Sequence, residues 1–445
     1  MDDRKTQYQK IFAIFIPLAL SWLFMSVDNP AVSAIVSRLR DPENSLAAHG
    51  GIVYPISLII EAPIISLISI SIALCKDWLN YQKLYRFMML QCFFLTVLHA
   101  LVSFTPLYYV VVRNIIGAPE ELLPYARTGL MLMLPWTWAI GYRRFYQGVL
   151  IRCGFSRMVT LGSLVRMASM LSVLFAGYLM RDHFSGTMVA AAALSTGVVA
   201  EAIYAGAKGR PVAKAYLDHD PNAEVISWRD LFIFSFPLVV TQILNFGWMS
   251  LGSAAMSRMI NPIASLAVWP VLSGLLNILR AFGYTCNEVT LTLLSRKGFY
   301  ETVRRFSIYV GLASTGIYLL FLVTPLGDFW FVRFSGLTGE LAALAQGALS
   351  LVFLIPFSNA LLSFYQAILL HNKKTNGILQ ALLVFFVIIG AFMAVGIRTQ
   401  RWQGILVIAL GMNVALVVQT LVSMLQSRRF VPEPSIEPLR SMELQ

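Results

Sequence analysis

Six ionisable residues interrupt the long apolar runs of this chain: Asp28, Glu61, Arg166, Glu201, Arg280 and Glu288. A charge in such a place is costly, so by default it marks a function and has a partner. Asp28 is followed by Asn29 and Pro30. A proline there leaves the carbonyl of Ser26 without its helical donor and bends the helix. A carboxylate beside an amide and a freed carbonyl suits a coupling cation, H⁺ or Na⁺, so Asp28 with Asn29 is the expected ion-coupling site. The alternative is that the helix ends earlier and Asp28 caps it at the membrane surface. Glu61 and Arg280 both fall near mid-run, where an acid and a base could pair across a central cleft. Arg166, Asn287 and Glu288 complete the expected substrate cavity; Glu288 stands two turns from Arg280 on a similar helical face. Arg166 and Glu201 lie close enough to the end of a run to reach the membrane interface instead. His99 reads as an interior histidine.

One short pattern occurs twice, Phe145-Tyr146-Gln147 and Phe364-Tyr365-Gln366, each ahead of a basic connection. Tyr146, Gln147, Tyr365 and Gln366 are read as a cytoplasmic gate or as interface anchors beside a small residue for close helix packing. Soluble catalytic motifs are missing: there is no HExxH, no GxSxG, no GxGxxG and no Gly-rich loop ending in Gly-Lys-Ser/Thr. Cys75, Cys92, Cys153 and Cys286 are scattered without a CxxC, so neither a disulfide framework nor a metal site is expected. No enzymatic activity is expected, and no cofactor beyond a coupling ion.

The elements that must position these residues are apolar helices. The chain is 58% hydrophobic and 13% charged, with mean hydropathy +0.70, far from the balance of a soluble domain. Twelve runs are long enough to span a bilayer: 11–36, 47–74, 85–104, 126–150, 158–180, 187–207, 230–257, 264–294, 304–323, 341–370, 376–396 and 402–425. The connections alternate sides, and 23 of the 34 Lys and Arg fall on the side of the termini against 9 on the other. That bias predicts a multi-pass protein of the cell membrane with both termini cytoplasmic. The net charge of +12 is explained by these connections and calls for no nucleic acid.

The chain is also written twice. Phe15 to Ala48 matches Ser235 to Val268 without a gap at an offset of 220, aligning Pro17 with Pro237. The Phe-Tyr-Gln pair follows at 219. Six spans per repeat bring both halves into the membrane from the same side. The predicted fold is an all-α membrane protein of twelve transmembrane helices in two six-helix bundles, related by a pseudo-two-fold axis along the membrane normal. The bundles are residues 1–207 and 230–425, joined by a cytoplasmic linker 208–229 and followed by a disordered tail 426–445. The connections 105–127 and 324–340 should each hold a short surface helix.

Several stretches resemble a known family. Phe15-Ile16-Pro17-Leu18, Val27-Asp28, Arg38-Leu39 and Leu46-Ala47-Ala48-His49-Gly50 look like the opening of multidrug and toxic-compound extrusion (MATE) proteins, and Phe236-Pro237-Leu238 opens the second half likewise. The wider group is the multidrug/oligosaccharidyl-lipid/polysaccharide (MOP) exporter superfamily. The resemblance implies two bundles around a central cavity, efflux by antiport, and a cation-coupling role for Asp28. Ser37-Arg38-Leu39-Arg40-Asp41 departs from the family's Gly-Arg-Leu-Gly. His49-Gly50 leading to Pro63, and Gly283-Tyr284 leading to Asn287-Glu288, resemble the progressive-ankylosis branch, exporters of small anions such as citrate, nucleotides and pyrophosphate. The expected function is cation-coupled export of a small organic solute. The alternatives are an exporter of small organic or phosphate-bearing anions, and a flippase for a lipid-linked precursor, whose diphosphate would need a strongly basic cavity. The expected partners are the solute and the bilayer, the protein being a monomer.

Overall fold

In hydrocarbon every backbone polar group must bond within the protein, so apolar runs of this length fold as helices. The computed structural model describes residues 2–294, 298–372 and 374–430. The tail beyond Phe430 lies outside the described residues.

Twelve helical columns follow in order. They are α1 (Asp2–Ser26, continued by Asp28–Val36), α2 (Pro42–Leu74), α3 (Trp78–Phe104), α4 (Leu123–Leu132, then Leu134–Arg152), α5 (Ser156–Leu179) and α6 (Gly186–Tyr216). The second half gives α7 (Trp228–Met256), α8 (Pro262–Leu293), α9 (Phe299–Val323), α10 (Gly339–Ser350, then Ile355–His371), α11 (Thr375–Thr399) and α12 (Gly404–Ser427). Ten of these are long and apolar enough to span on their own. The other two are the repeat pair α4 and α10. The two pieces of α10 meet at 46°, and α4 breaks at Met133 and carries Arg127, Arg143 and Arg144.

Prolines place the other breaks. α1 is interrupted at Val27, ahead of Pro30. α2 is interrupted at Ser66, whose hydroxyl donates to the carbonyl of Pro63 at 2.7 Å. Both surface connections hold a π-helical segment, Tyr109–Ile116 and Phe329–Phe334. α6 runs past the expected boundary at 207, because buried Gly209, Val212 and Ala213 continue its apolar stripe at helical spacing. Residues 426–430, expected in the tail, finish α12 and add a 3₁₀ turn.

The halves repeat their contacts as well as their helices. Asp41 and Asn261, 220 apart, both take the left-handed conformation at φ 50° before α2 and α8. A bridge between Arg40 and Ser185 recurs between Ile260 and Gln403. The first half of α1 packs on the opposite bundle, where Phe12 and Phe15 meet Phe306 edge-on at 5.4 and 5.0 Å. α7 answers on the other side: Phe232 meets Phe87 at 5.6 Å, and Lys83 lies over Trp228. The outward faces expose Phe94, Phe175, Leu179, Phe236, Val323 and Val387, as a lipid-facing girdle does.

Candidate functional site

α8 sets the wall of a cavity of about 680 Å³. Trp269, Ser273, Asn277, Arg280, Tyr284 and Asn287 recur on it in steps of three and four, so one helical face lines the space. α7 adds Asn245 and Trp248, α10 adds Asn359 and Gln366, and α11 and α12 add Phe385 and Gln419. Among the described residues of the first half only those of α1 and α2 reach it, with Trp22, Asn29, His49 and Tyr54 among their contributions. The cavity thus belongs mainly to the C-terminal half and mixes rings with amides.

Among the described residues, Arg280 is the only Lys or Arg on this wall. Its Nε donates to Asn359 Oδ1 at 3.2 Å, and its guanidinium lies 5.2 Å from the ring centre of Tyr284. No carboxylate among the described residues forms an ion pair with it. Glu288 accepts from Trp22 Nε1 at 3.3 Å, and Asn287 donates to the carbonyl of Ser363 at 3.0 Å.

The N-terminal half is built differently. Arg166 pairs with Asp28, and its Nε lies 3.2 Å from Glu201 Oε2. Arg143 pairs with the same Glu201 oxygen, while Gln147 Nε2 donates to Oε1 at 2.9 Å. Glu201 is 0% exposed and Arg143 only 8%. Beside this cluster, the Thr137 hydroxyl lies 3.1 Å from Glu61 Oε1 and 2.6 Å from His99 Nδ1. His99 Nε2 lies 3.1 Å from the carbonyl of Leu130.

These placements correct several expectations. Glu61 is 0% exposed, faces Thr137 inside its own half and does not pair with Arg280. Arg166 does not line the cavity; it is held by Asp28 and Glu201. Asp28 does not end a helix at the surface, and the cation beside it is the Arg166 guanidinium. Arg143 and Arg144 belong to α4 rather than to a connection, which leaves 21 basic residues against 9. Arg280, Asn287, Glu288, Gln366 and Asn29 do line the cavity. Tyr146 and Gln147 are buried in one half, and Tyr365 packs with Phe306 and Phe364 in the other, so the two Phe-Tyr-Gln copies do not meet. The α8 stripe is regular in the sequence, but nothing in that spacing says which face meets a cavity. Arg143 was detectable, since its repeat partner is Leu362, well inside an apolar run.

The face opposite the termini is closed. Gly50 of α2 abuts Pro270 of α8, and a Cβ on Gly50 would come within 2.4 Å of the proline ring. Two arginines 220 apart bridge the halves around that contact. Arg258 Nη1 donates to the carbonyl of Ile116 at 2.7 Å, and its Nη2 donates to those of Asn114 and Ile115 at 3.0 and 2.6 Å. Arg38 donates to the carbonyl of Phe334 at 2.8 Å and to that of Arg333. Each thus binds the C-terminal end of the other half's π-helical segment, where carbonyls lack helical partners and attract a cation. A glycine follows each segment, Gly117 at φ 75° and Gly336 at φ 68°. A side chain there would press on the incoming arginine or its neighbour Ser37.

No protein-family model and no curated protein matches the sequence. Solved structures do match. An inward-facing multidrug-resistance MATE family transporter of the MOP superfamily gives a TM-score of 0.67 at 14% identity, covering 94% of this chain and 98% of that one. A MOP superfamily transporter from Pyrococcus furiosus, described as having a binding pocket of reverse polarity, gives 0.67 at 15% identity, covering 94% and 95%. An outward-facing MATE family structure gives 0.61 at 16%, covering 94% of both. Identities this low speak to architecture alone, and on that count the chain has the two-bundle, twelve-helix fold of the MATE transporters of the MOP superfamily.

Proposed function

We propose that this protein is a secondary transporter that moves a small organic anion by alternating access, holding it in the cavity of the C-terminal half against Arg280. The carrying observation is a guanidinium on the cavity wall that meets an amide and a ring and, among the described residues, is paired with no carboxylate. A partly dehydrated guanidinium attracts an anion, and a carboxylate or phosphate matches its paired N–H groups. The rings and amides around it suit an organic remainder with hydroxyl or amide groups. A lipid diphosphate is less well served, since Glu288 shares the wall with this one cation. The closed face opposite the termini fits one limiting state of such a cycle. The excess of Lys and Arg on the side of the termini supports placing that side in the cytoplasm.

The test is binding and vesicle transport of a panel: a tricarboxylate, a sugar phosphate, pyrophosphate and a lipophilic cation. Arg280→Gln removes a charge-assisted bond of about 1.5–3 kcal/mol, so affinity for the bound anion is expected to fall about 10- to 100-fold. Arg280→Lys should recover part of it. Binding of the cation alone, indifferent to Arg280→Gln, would refute the anion reading.

A further inference from the structure

We infer that Glu61, Thr137 and His99 form a proton-binding site in the N-terminal half, and that the proton it holds is the coupling ion of the transport cycle. The inference rests on the transporter reading for the word coupling, and on geometry alone for the proton. The chain of contacts is Leu130 O, His99, Thr137 and Glu61 Oε1, at 3.1, 2.6 and 3.1 Å. A carbonyl oxygen only accepts, so His99 Nε2 carries a hydrogen and donates to Leu130. The middle and last links then need two more hydrogens, and the Thr137 hydroxyl has one. With a neutral imidazole and an ionised carboxylate, that one hydroxyl would face two acceptors, and one link would be empty.

Two arrangements fill every link. In one, His99 is doubly protonated and donates to Thr137, which donates to an ionised Glu61. In the other, a protonated Glu61 donates to Thr137, which donates to neutral His99. Both hold the same single additional proton. His99, Thr137 and Glu61 are all buried, and a buried acceptor left unmatched is destabilising. Loss of the proton therefore breaks one link of the chain.

The surroundings name what else the site feels. Arg143 of α4 and Tyr54 of α2 lie within electrostatic reach of Glu61. α7, which packs on α2, has no ionisable side chain from Leu231 to Met256. Arg143 is already paired with Glu201, and Asp28 is taken by Arg166. Of the three acids inside the spans of this half, Asp28 and Glu201 are paired with guanidinium groups, whereas Glu61 is bonded by a hydroxyl.

What the proton completes is a tie across a helix break, with Leu130 on one side of it and Thr137 on the other. Leu130 lies two residues before the end of the first α4 segment, next to the break at Met133. In the second half the same place is held by Tyr318, whose hydroxyl donates to the carbonyl of Leu349, each 219 residues from its counterpart. A phenol keeps its hydrogen, so the bond at the α10 break stays made. At α4 a neutral His99 keeps its bond to Leu130, and loss of the proton empties one link at Thr137, which then holds His99 or Glu61 but not both.

Three measurements decide the matter. Infrared spectroscopy of the purified protein, with ¹⁵N resonances of its histidines, should find either a protonated carboxyl that vanishes in Glu61→Gln or a doubly protonated His99. An ionised Glu61 beside a neutral His99 overturns the site. In vesicles, with citrate and pyrophosphate as probes, Glu61→Gln and His99→Tyr should reduce the proton-gradient-driven rate about tenfold or more. They should leave exchange of the same probe without a gradient within about twofold, a split that a merely structural role would not produce. A gradient response kept in Glu61→Gln and lost in Asp28→Asn would move the coupling site to Asp28 and end the proposal. If neither probe moves in the unmodified protein, the anion reading fails and the spectra still decide the proton.

Discussion

The two halves answer one backbone with opposite chemistry. At seven repeat positions the N-terminal half has Asp28, Glu61, Arg143, Gln147, Ser163, Arg166 and Glu201. The C-terminal half has Trp248, Arg280, Leu362, Gln366, Leu382, Phe385 and Gln419, with the offset falling from 220 to 218 along the repeat. All seven of the second set line the cavity. Six of the first set join in one network of ion pairs and hydrogen bonds around Glu201, and Glu61 adjoins it. Where Asp28 meets Arg166 in one half, Trp248 meets Phe385 in the other, edge-on at 6.2 Å. Charges that satisfy one another fill space and leave no room for a solute. Rings and amides that do not close on one another leave a cavity. The difference teaches that the duplicated fold divides its chemistry, with a cavity lined by rings and amides in one half and a closed charge network in the other.

The largest effect expected from breaking this contrast is at Glu201. Glu201→Gln converts it to the residue of the other half, yet strands Arg143 and leaves Arg166 with Asp28 alone. Removing one partner of a buried ion pair costs about 3–5 kcal/mol. Thermal unfolding in detergent should show a marked loss for the single variant, and the double variant Arg143→Leu with Glu201→Gln should regain much of it. Losses that simply add would mean that the two side chains are not coupled.

A smaller effect sharpens the comparison at the helix breaks. Tyr318→Phe leaves the carbonyl of Leu349 without its buried donor, at about 1–3 kcal/mol. Tyr318→His installs the N-terminal solution in the C-terminal half. It should restore part of the stability and make it depend on pH, which Tyr318 itself does not do below the range where a phenol ionises. A histidine variant no better than phenylalanine would show that the two sites are not interchangeable.

The fold was legible because duplication is a statement about sequence. The gapless match of Phe15–Ala48 to Ser235–Val268 fixed the number of halves and their common orientation, and Pro30 and Pro63 marked two breaks that the structure shows. Glu61 with Arg280 was misread for a physical reason. A two-fold axis sets equivalent residues opposite each other only when both lie near the axis. Gly50 and Pro270 do, and they touch. Glu61 faces α3 and α4, away from the axis, so equal depth did not bring it to Arg280. Nor does spacing along one helix reveal which neighbour it meets; the bond of Asp28 to Arg166 joins helices α1 and α5 through a rotation that the sequence does not state.

The smallest expected effect concerns the closed face, where the halves are alike rather than opposed. Arg38 and Arg258 make the same latch in opposite directions, but Arg258 reaches three carbonyls of the other half and Arg38 two. The guanidinium groups are exposed, so each bond contributes at the low end, about 0.5 kcal/mol. Opening this face from the terminus-open state must break both latches, and weakening either should raise the open fraction in proportion. The reporter is a cysteine at Ser273, on the cavity wall, in a background where Cys75, Cys92, Cys153 and Cys286 are replaced. Its rate of modification by an impermeant reagent, added on the face opposite the termini, is expected to rise about two- to fivefold in Arg38→Ala and more in Arg258→Ala. Gly117→Ala should imitate the latter without removing the arginine, because its Cβ would sit 3.0 Å from the Arg258 guanidinium carbon. Equal rates in all four proteins would assign the closure to the Gly50–Pro270 contact alone. In that event Gly50→Ala, which cannot keep its distance from the proline ring, becomes the variant that opens the face.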